Sequence, residues 1–419
     1  MNFANLIFAV LALLSLALAL WQWLAARRFP LHRRVTDTGF APAISLLKPL
    51  KGCDATTAES LQSWFNQHYS GQIQILFGVA DADDPVCKIV REIIAKNPKC
   101  EAQLVVCEKL IGANAKVAKL ARLEKLAKHD RILVSDADVR VPPDFLTNIV
   151  APLTRSSATL SPSDGERDGV RGGIGLVNCF YRLANPSTTA MRWEAVAINA
   201  DFWSQVLQSQ SLKPLDFALG AAMLVRREAL AEIGGFPSLA DCLADDYQLG
   251  HRIAKNGHRI ALCPVVAECW DAPMNWRDVW KHQLRWARTI RVCQPLPYFF
   301  SILSNATLWP LLWLASALFR WLPMAISSAP MDPFRHFETQ ITLLDGMIFV
   351  IALLLARIVL AQNLQRRLTP ERDLVSPLWL VPVKDLLQAA IWFCAFAGNT
   401  VEWRGRKMKL RRDGTLEEI

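Results

Sequence analysis

Every position from Phe3 to Leu24 is apolar except Asn5, Ser15 and Gln22, and Arg27, Arg28, Arg33 and Arg34 follow before the first acid, Asp37. A run of this length suits a helix that satisfies its own backbone hydrogen bonds while crossing about 30 Å of hydrocarbon. A cleaved signal peptide is the competing reading, but no basic residue precedes Phe3 and the run exceeds a usual signal core. The expectation is a retained transmembrane anchor over 3–24. The arginines would then keep the following chain in the cytoplasm and attract it to an anionic membrane surface.

The last third of the chain returns to lipid-like composition. Tyr298 to Phe319 and Ile341 to Gln362 have transmembrane length, although the first contains Pro310 and the second Asp345 and Arg357. A third stretch, Pro377 to Gly398, is interrupted by Pro382, Lys384 and Asp385. Three full crossings would put the basic segment Trp403 to Arg412 outside, against the positive-inside rule. We therefore expect two transmembrane helices plus a re-entrant or interfacial segment over 298–399, and a cytoplasmic basic tail over 400–419. The net charge of +9 resides largely beside apolar spans and forms no continuous stripe, which argues against nucleic acid as a partner. The ten cysteines show no CxxC pair, so neither a zinc site nor a disulfide framework is indicated.

Between these regions the pattern alternates. Ala43 to Leu47, Ile73 to Ala80, Gln103 to Cys107 and Arg131 to Ser135 are short apolar runs of strand type, while Ala58 to His68, Pro85 to Lys96 and Ala115 to Lys128 have helical spacing. Such alternation predicts an α/β domain with a mainly parallel central sheet, covered on both faces, over about 40–295. Further on, the spacing predicts a helix over Arg192 to Val206, a strand passing into a helix over Phe217 to Phe236, a helix and strand over Leu243 to Pro264, and a helix from Trp276 to Arg291. Ser161 to Gly175 is too rich in glycine and charge to build a core and is expected to be a loop.

Ligands of open α/β sheets bind beyond the carboxyl ends of the strands. Two strands here run straight into acid: one into Asp81, Asp83 and Asp84, the other into Asp136 and Asp138. A single strand-end aspartate is usually a turn former. Two such clusters in one sheet favour a site. The Asp136-x-Asp138 pair offers hard oxygen ligands of the kind Mg²⁺ or Mn²⁺ prefers, and such an ion offsets the charge of a diphosphate. Asp144, after Pro142-Pro143, suits the N-cap of the next helix. Asp245 and Asp246 would cap a helix electrostatically, but Asp246 also suits a general base that takes a proton from an attacking hydroxyl. In the helix carrying "HQLRW", Arg285 suits a diphosphate and Trp286 a stacking wall, with a helix lying along the membrane as the alternative. The residues together predict transfer from a soluble nucleotide-activated donor to a lipid acceptor.

The ordered segments "SLLKPLKG", "VADADDP", "SDADVRVPPDFL", "GAAMLVRREALAEIGGF", "LADDYQLGHRIAKNGHRIAL" and "HQLRWAR" resemble the ceramide glucosyltransferase family, a branch of the GT-A glycosyltransferases, from Ala41 to Pro295. The resemblance implies a GT-A domain and an inverting, divalent-cation-dependent (Mg²⁺ or Mn²⁺) transfer from a UDP-sugar donor to a lipid hydroxyl at the cytoplasmic face. Glucose and ceramide are the expected sugar and acceptor. By motif it implies that Asp81 contacts the uridine, Lys116 lies near the nucleotide, and Asp136 takes the metal and diphosphate side with Asp138 as second ligand. Asp246, beside Asp245, would be the base, and Arg285 and Trp286 would lie near the diphosphate and acceptor. The last motif departs from the family pattern, opening with His282 where Gln or Arg is usual. A relative with the same motifs transfers N-acetylglucosamine to hopanoids, which stands as the alternative. A polysaccharide synthase would need a longer membrane bundle. The alternative of a different class is a non-catalytic, nucleotide-sensing membrane protein.

Overall fold

The computed structural model describes residues 3–108, 111–154, 172–326, 333–369, 375–403, 406–411 and 413–418. Most of the loop expected over Ser161 to Gly175 lies outside the described residues. The chain divides into two compact units, Phe29–Thr188 with Ser209–Asn275 and Asn399–Ile419, and Met1–Arg28 with Thr189–Gln208 and Trp276–Gly398.

In the first unit, β1 (Ile44–Pro49), β2 (Ile73–Val79), β3 (Glu101–Val106), β4 (Arg131–Ser135), β5 (Val139–Arg140), β6 (Ile174–Leu183), β7 (Ala222–Arg226) and β8 (Arg259–Cys269) form one sheet. Its order is β3-β2-β1-β4-β7-β6-β8-β5. The pairs β2–β3, β1–β2, β1–β4 and β6–β8 are parallel, whereas β7 runs antiparallel between β4 and β6 and β5 antiparallel beside β8. Every position of β1 is buried, as expected for a parallel strand covered on both faces. The helix Ala115–Glu124 packs on β1 and β2, and a Cβ on Gly78 would lie 3.0 Å from Leu123 Cδ1, so glycine permits this close approach. A core containing Leu46, Phe77, Leu133, Trp64 and Phe145 lies against the sheet.

Because β2, β1 and β4 are parallel, their carboxyl ends share one edge, where both acidic runs begin. The antiparallel β7 starts at that same edge, with Ala222 opposite Ser135 and the Asp136 N–H donating to the Ala221 carbonyl at 3.0 Å. Ala221 has φ 72°, a conformation that L-residues with a Cβ adopt rarely and that concentrates at functional sites. Asp144 occupies the N-cap position of Phe145–Val150, but its side chain makes no cap bond. It instead pairs with Arg34 Nε at 2.9 Å. Residues of the basic tail form a small antiparallel sheet of β9 (Thr400–Trp403), β10 (Arg406–Leu410) and β11 (Leu416–Glu418).

The second unit is helical. Phe3–Arg28 and Leu344–Leu368, the latter within the helix Pro333–Leu368, are long and apolar enough to cross a membrane. The span expected at Tyr298 to Phe319 is a pair of segments, Pro295–Ser304 and Leu308–Phe319, bent by 55°. Asn305 accounts for the break, since its Oδ1 accepts from the N–H groups of Thr307 at 3.3 Å and Leu308 at 2.9 Å and so starts a new helix. Leu380–Phe396 has 17 residues.

The buried stripe of Phe3–Arg28 is Asn5, Ala9, Ala12, Ser15, Ala19, Gln22 and Ala26, while Leu6, Leu13, Leu20 and Leu24 are exposed. Small and polar residues facing other helices, with leucines facing out, is the pattern of a helix packed in lipid. Arg357, Lys384 and Asp385, which interrupt the apolar runs, meet Asp201 in one buried cluster. Arg357 Nη2 lies 2.9 Å from Asp201 Oδ2 and 2.8 Å from Asp385 Oδ1, and Lys384 pairs with both acids. Thr307 Oγ1 donates to Asp385 Oδ2 at 2.7 Å. Asp201 lies in a π-helical turn, Ala197–Phe202, which divides the helix expected over Arg192 to Val206 into Thr189–Val196 and Trp203–Leu212.

Candidate functional site

At the acidic edge of the sheet, β4 delivers Asp136 and the first turn of the helix Asp245–Lys255 delivers Asp245 and Asp246. Lys116 Nζ bridges them, 2.7 Å from Asp136 Oδ1 and 3.0 Å from Asp245 Oδ2, with only 11% of its side chain exposed. Asn114 places that lysine. Its Oδ1 caps the helix through the N–H groups of Lys116 and Val117 at 3.0 and 3.2 Å, and its Nδ2 donates to the Cys242 carbonyl at 2.8 Å. The loop before Lys116 and the loop before Asp245 are thereby tied together. Asp136 and Asp245 hold the Lys116 ammonium charged far above its usual range, despite its burial.

Asp246 completes the group. A Cβ on Gly220 would lie 3.0 Å from Asp246 Oδ2 and 4.0 Å from Asp136 Oδ2, so both carboxylates converge on the space left by this glycine. Burial, and next the charge of Asp245, push the Asp246 carboxyl up to about 6, against the opposing pull of Lys116. Its Oδ1 accepts the Tyr247 N–H at 2.7 Å. Asp138, two residues past Asp136, is pushed up to about 7 by burial first, then by Asp136 and Asp271.

Asp81 lies at the same sheet edge, at the end of β2, with β1 between it and Asp136. It is exposed, and its Oδ1 accepts the Asp83 N–H at 3.0 Å. Its neighbour Asp84 is a turn builder: both carboxylate oxygens accept the Gly52 N–H at 3.0 Å and Oδ1 also accepts the Val86 N–H.

The Arg285–Trp286 motif is in the helical unit, on Trp276–Cys293. There His282 and Trp286, one turn apart, meet edge to face at 4.9 Å, and Phe202 lies 6.1 Å from Trp286. The carboxylate of Glu194, its side chain 1% exposed, accepts at Oε1 from His282 Nδ1 at 2.7 Å and Gln283 Nε2 at 2.8 Å. Arg285 is half-buried.

The expected residues thus sort into Lys116, Asp136, Asp245 and Asp246 in one cluster, Asp138 and Asp81 along the same edge, and His282, Arg285 and Trp286 in the other unit. Three further residues belong to these arrangements. Lys48, buried in β1, donates to the Asp136 carbonyl at 2.6 Å and Ser135 Oγ at 3.1 Å, and burial lowers its amine to about 7. A lysine inside an apolar strand run was the signal for it. Gly220 and Glu194 carry no comparable local signal, because their importance rests on what folds against them.

The carboxylates of Asp136 and Asp138 supply the hard oxygens that suit Mg²⁺ or Mn²⁺. Among the described residues no three His, Cys, Asp or Glu side chains gather as a ready metal cage.

Comparison with known proteins agrees with this architecture. A mannosyltransferase from Pyrobaculum calidifontis, solved with GDP-Man and Mn²⁺, superposes with a TM-score of 0.52 at 17% identity, covering 93% of this chain and 99% of that one. Ceramide glucosyltransferase 3 of Caenorhabditis elegans is 24% identical over 243 residues, 57% of this chain and 48% of the relative. Ceramide glucosyltransferase of Candida albicans is 34% identical over 128 residues, 28% of this chain and 24% of the relative. The chain thus spans about half or less of the length of these curated relatives. A family model described as Glycosyl transferase family 21 matches residues 7–416, nearly the whole chain. With its mainly parallel sheet, GT-A architecture and apolar helices at both ends, the chain belongs to glycosyl transferase family 21, the family of the ceramide glucosyltransferases.

Proposed function

We propose that this protein transfers a sugar, glucose in the leading reading, from a UDP-sugar to the hydroxyl of a membrane lipid, ceramide in the leading reading, with inversion at the anomeric carbon. The observation that carries the reading is the cluster at the carboxyl edge of the sheet in which Lys116 bridges Asp136 and Asp245 while Asp246 and Asp136 converge on Gly220. A carboxyl held near 6 is ionised at neutral pH yet basic enough to accept a proton. Asp246 takes the proton of the lipid hydroxyl as its oxygen bonds to the anomeric carbon, and the bond to the diphosphate oxygen breaks to release UDP. Asp136 and Asp138 would hold a divalent cation, Mg²⁺ or Mn²⁺, which when bound offsets the charge of the departing diphosphate. Lys116 holds Asp136 and Asp245 in place, Asp81 receives the uridine, Arg285 the diphosphate, and Trp286 stacks on sugar or lipid. The curated relatives named ceramide glucosyltransferases and the neighbour solved with GDP-Man and Mn²⁺ support this assignment. The apolar helices and the arginines after Arg27 support a multi-pass membrane protein whose catalytic domain is cytoplasmic.

The test is product analysis by mass after incubating the detergent-solubilised protein and a divalent cation with several UDP-sugars against ceramide, diacylglycerol and hopanoid acceptors. Glucosylceramide is the expected product. N-acetylglucosaminyl hopanoid as the only product would replace the leading substrates, and donor consumption with no lipid product would count against both. In parallel, Asp246→Asn is expected to lower kcat by about 10²–10⁴-fold while UDP-sugar binding persists. Unimpaired turnover in that variant would remove the base assignment.

A further inference from the structure

The segment that delivers Asp245 and Asp246 is bound on one side by Asn114 and on the other by the end of the chain. The Leu416 N–H donates to the Asp241 carbonyl at 2.7 Å, and the Leu243 N–H donates to the Gly414 carbonyl at 3.3 Å. Cys242 and Thr415 form an antiparallel bridge between these two bonds. Residues 241–243 therefore act as a further edge partner for the tail, and the next residues of the chain are Ala244, Asp245 and Asp246.

The tail is built to hold this position. Its ladder runs from Thr400–Trp403 through Arg406–Leu410 to Leu416–Glu418, with Met408 opposite Glu418 and Leu410 opposite Leu416. Val401, Met408, Leu410 and Leu416 are buried while Lys407 and Lys409 are exposed, the alternation of a sheet with one covered face. The turn into the last strand is closed by Asp413, whose Oδ1 accepts from Thr415 N–H at 3.0 Å and Thr415 Oγ1 at 2.7 Å, and by Gly414 at φ 84°. A Cβ on Gly414 would lie 3.2 Å from Gln248 Nε2, in the first turns of the Asp246 helix. The opposite side is equally fastened, by the Ala113 N–H on Asp241 Oδ1 at 2.9 Å, the Asn114 N–H on the Ala240 carbonyl at 2.7 Å and Asn114 Nδ2 on the Cys242 carbonyl.

We propose that Gly414 to Leu416 form a positioning strand: by pairing with residues 241–243 the tail fixes where the Asp245–Asp246 turn stands relative to Lys116 and Asp136. It contributes no group to the chemistry. The inference rests on the assignment of Asp246 to the reaction, and a misplacement of about 1 Å in such a site is enough to cost about a hundredfold in rate.

Proline at 416 removes the N–H that donates to the Asp241 carbonyl. Leu416→Pro is expected to lower kcat by about a hundredfold, with the KM for the UDP-sugar within about twofold of the parent and the melting temperature little changed. Leu416→Ile, which keeps the N–H, restores turnover. A Leu416→Pro enzyme with parental kcat, measured beside an Asp246→Asn enzyme that is inactive, would overturn the positioning role and leave the functional assignment standing. An active Asp246→Asn enzyme would instead remove that assignment. Hydrogen exchange on the parent protein gives an answer that does not depend on any variant folding. Slow exchange at the Leu243 and Leu416 amides, comparable with the ladder amides of Lys407 to Lys409, supports the proposal, and exchange at the rate of an open loop overturns it.

Discussion

At the scale of single residues, Asp246 makes a pH prediction with a definite sign. Burial and Asp245 raise its carboxyl to about 6, so the base is ionised above that pH and protonated below it. The kcat/KM profile should lose activity toward acid with a midpoint near 6. Replacing Asp245 by Asn removes a like charge and frees Lys116 to act on Asp246, and both changes favour the carboxylate. The acid limb should move to lower pH in Asp245→Asn, and a limb that stays or rises would show that Asp245 does not set this ionisation. Glu194 is a second residue whose role rests on a buried carboxylate that two side chains share. Removing its carboxylate by Glu194→Ala leaves His282 Nδ1 and Gln283 Nε2 without their shared acceptor. Turnover should fall through loss of the His282–Trp286 arrangement, and a parental kcat would reduce Glu194 to a packing residue.

At the scale of elements, the buried quartet of Arg357, Lys384, Asp201 and Asp385 joins the helices Pro333–Leu368 and Leu380–Phe396 to the π-helical turn. With two cations and two carboxylates it is neutral, and removing one member strands a charge. Arg357→Ala should destabilise the helical unit by about 3–5 kcal/mol, read from unfolding in detergent. The pair change Arg357→Met with Asp385→Leu leaves Asp201 with Lys384 and should recover much of that loss, because apolar replacement of a buried ion pair is often neutral. If the double change costs as much as the two single changes added together, the residues do not act as a coupled pair.

At the scale of the whole molecule, the proposed membrane attachment makes a prediction that does not depend on one helix. Deleting residues 3–28 leaves Leu344–Leu368 and the bent pair Pro295–Ser304 with Leu308–Phe319. The shortened protein should stay in the membrane pellet after an alkaline wash, and its release would show that the N-terminal helix is the sole anchor. Much of this architecture was legible along the chain. Apolar runs longer than any soluble strand mark the long apolar helices, and short apolar runs ending in acid mark β2 and β4, because both signals are local. The tail illustrates the limit. Its lysines drew attention to charge, while the alternation of Met408 and Leu410 with Lys407 and Lys409 was the better guide to a strand. By itself the sequence determined which segments favour lipid, which form the parallel half of the sheet, and which acids stand at strand ends. Only the tertiary structure decided that β7 returns antiparallel to bring Gly220 against Asp136 and Asp246, that Lys116 bridges two distant acids, that the charges within the apolar helical segments pair with one another, and that the tail pairs with residues 241–243 just before Asp245 and Asp246. Periodicity and propensity act between neighbours a few residues apart, whereas each of those contacts joins parts of the chain whose meeting depends on how the whole core packs.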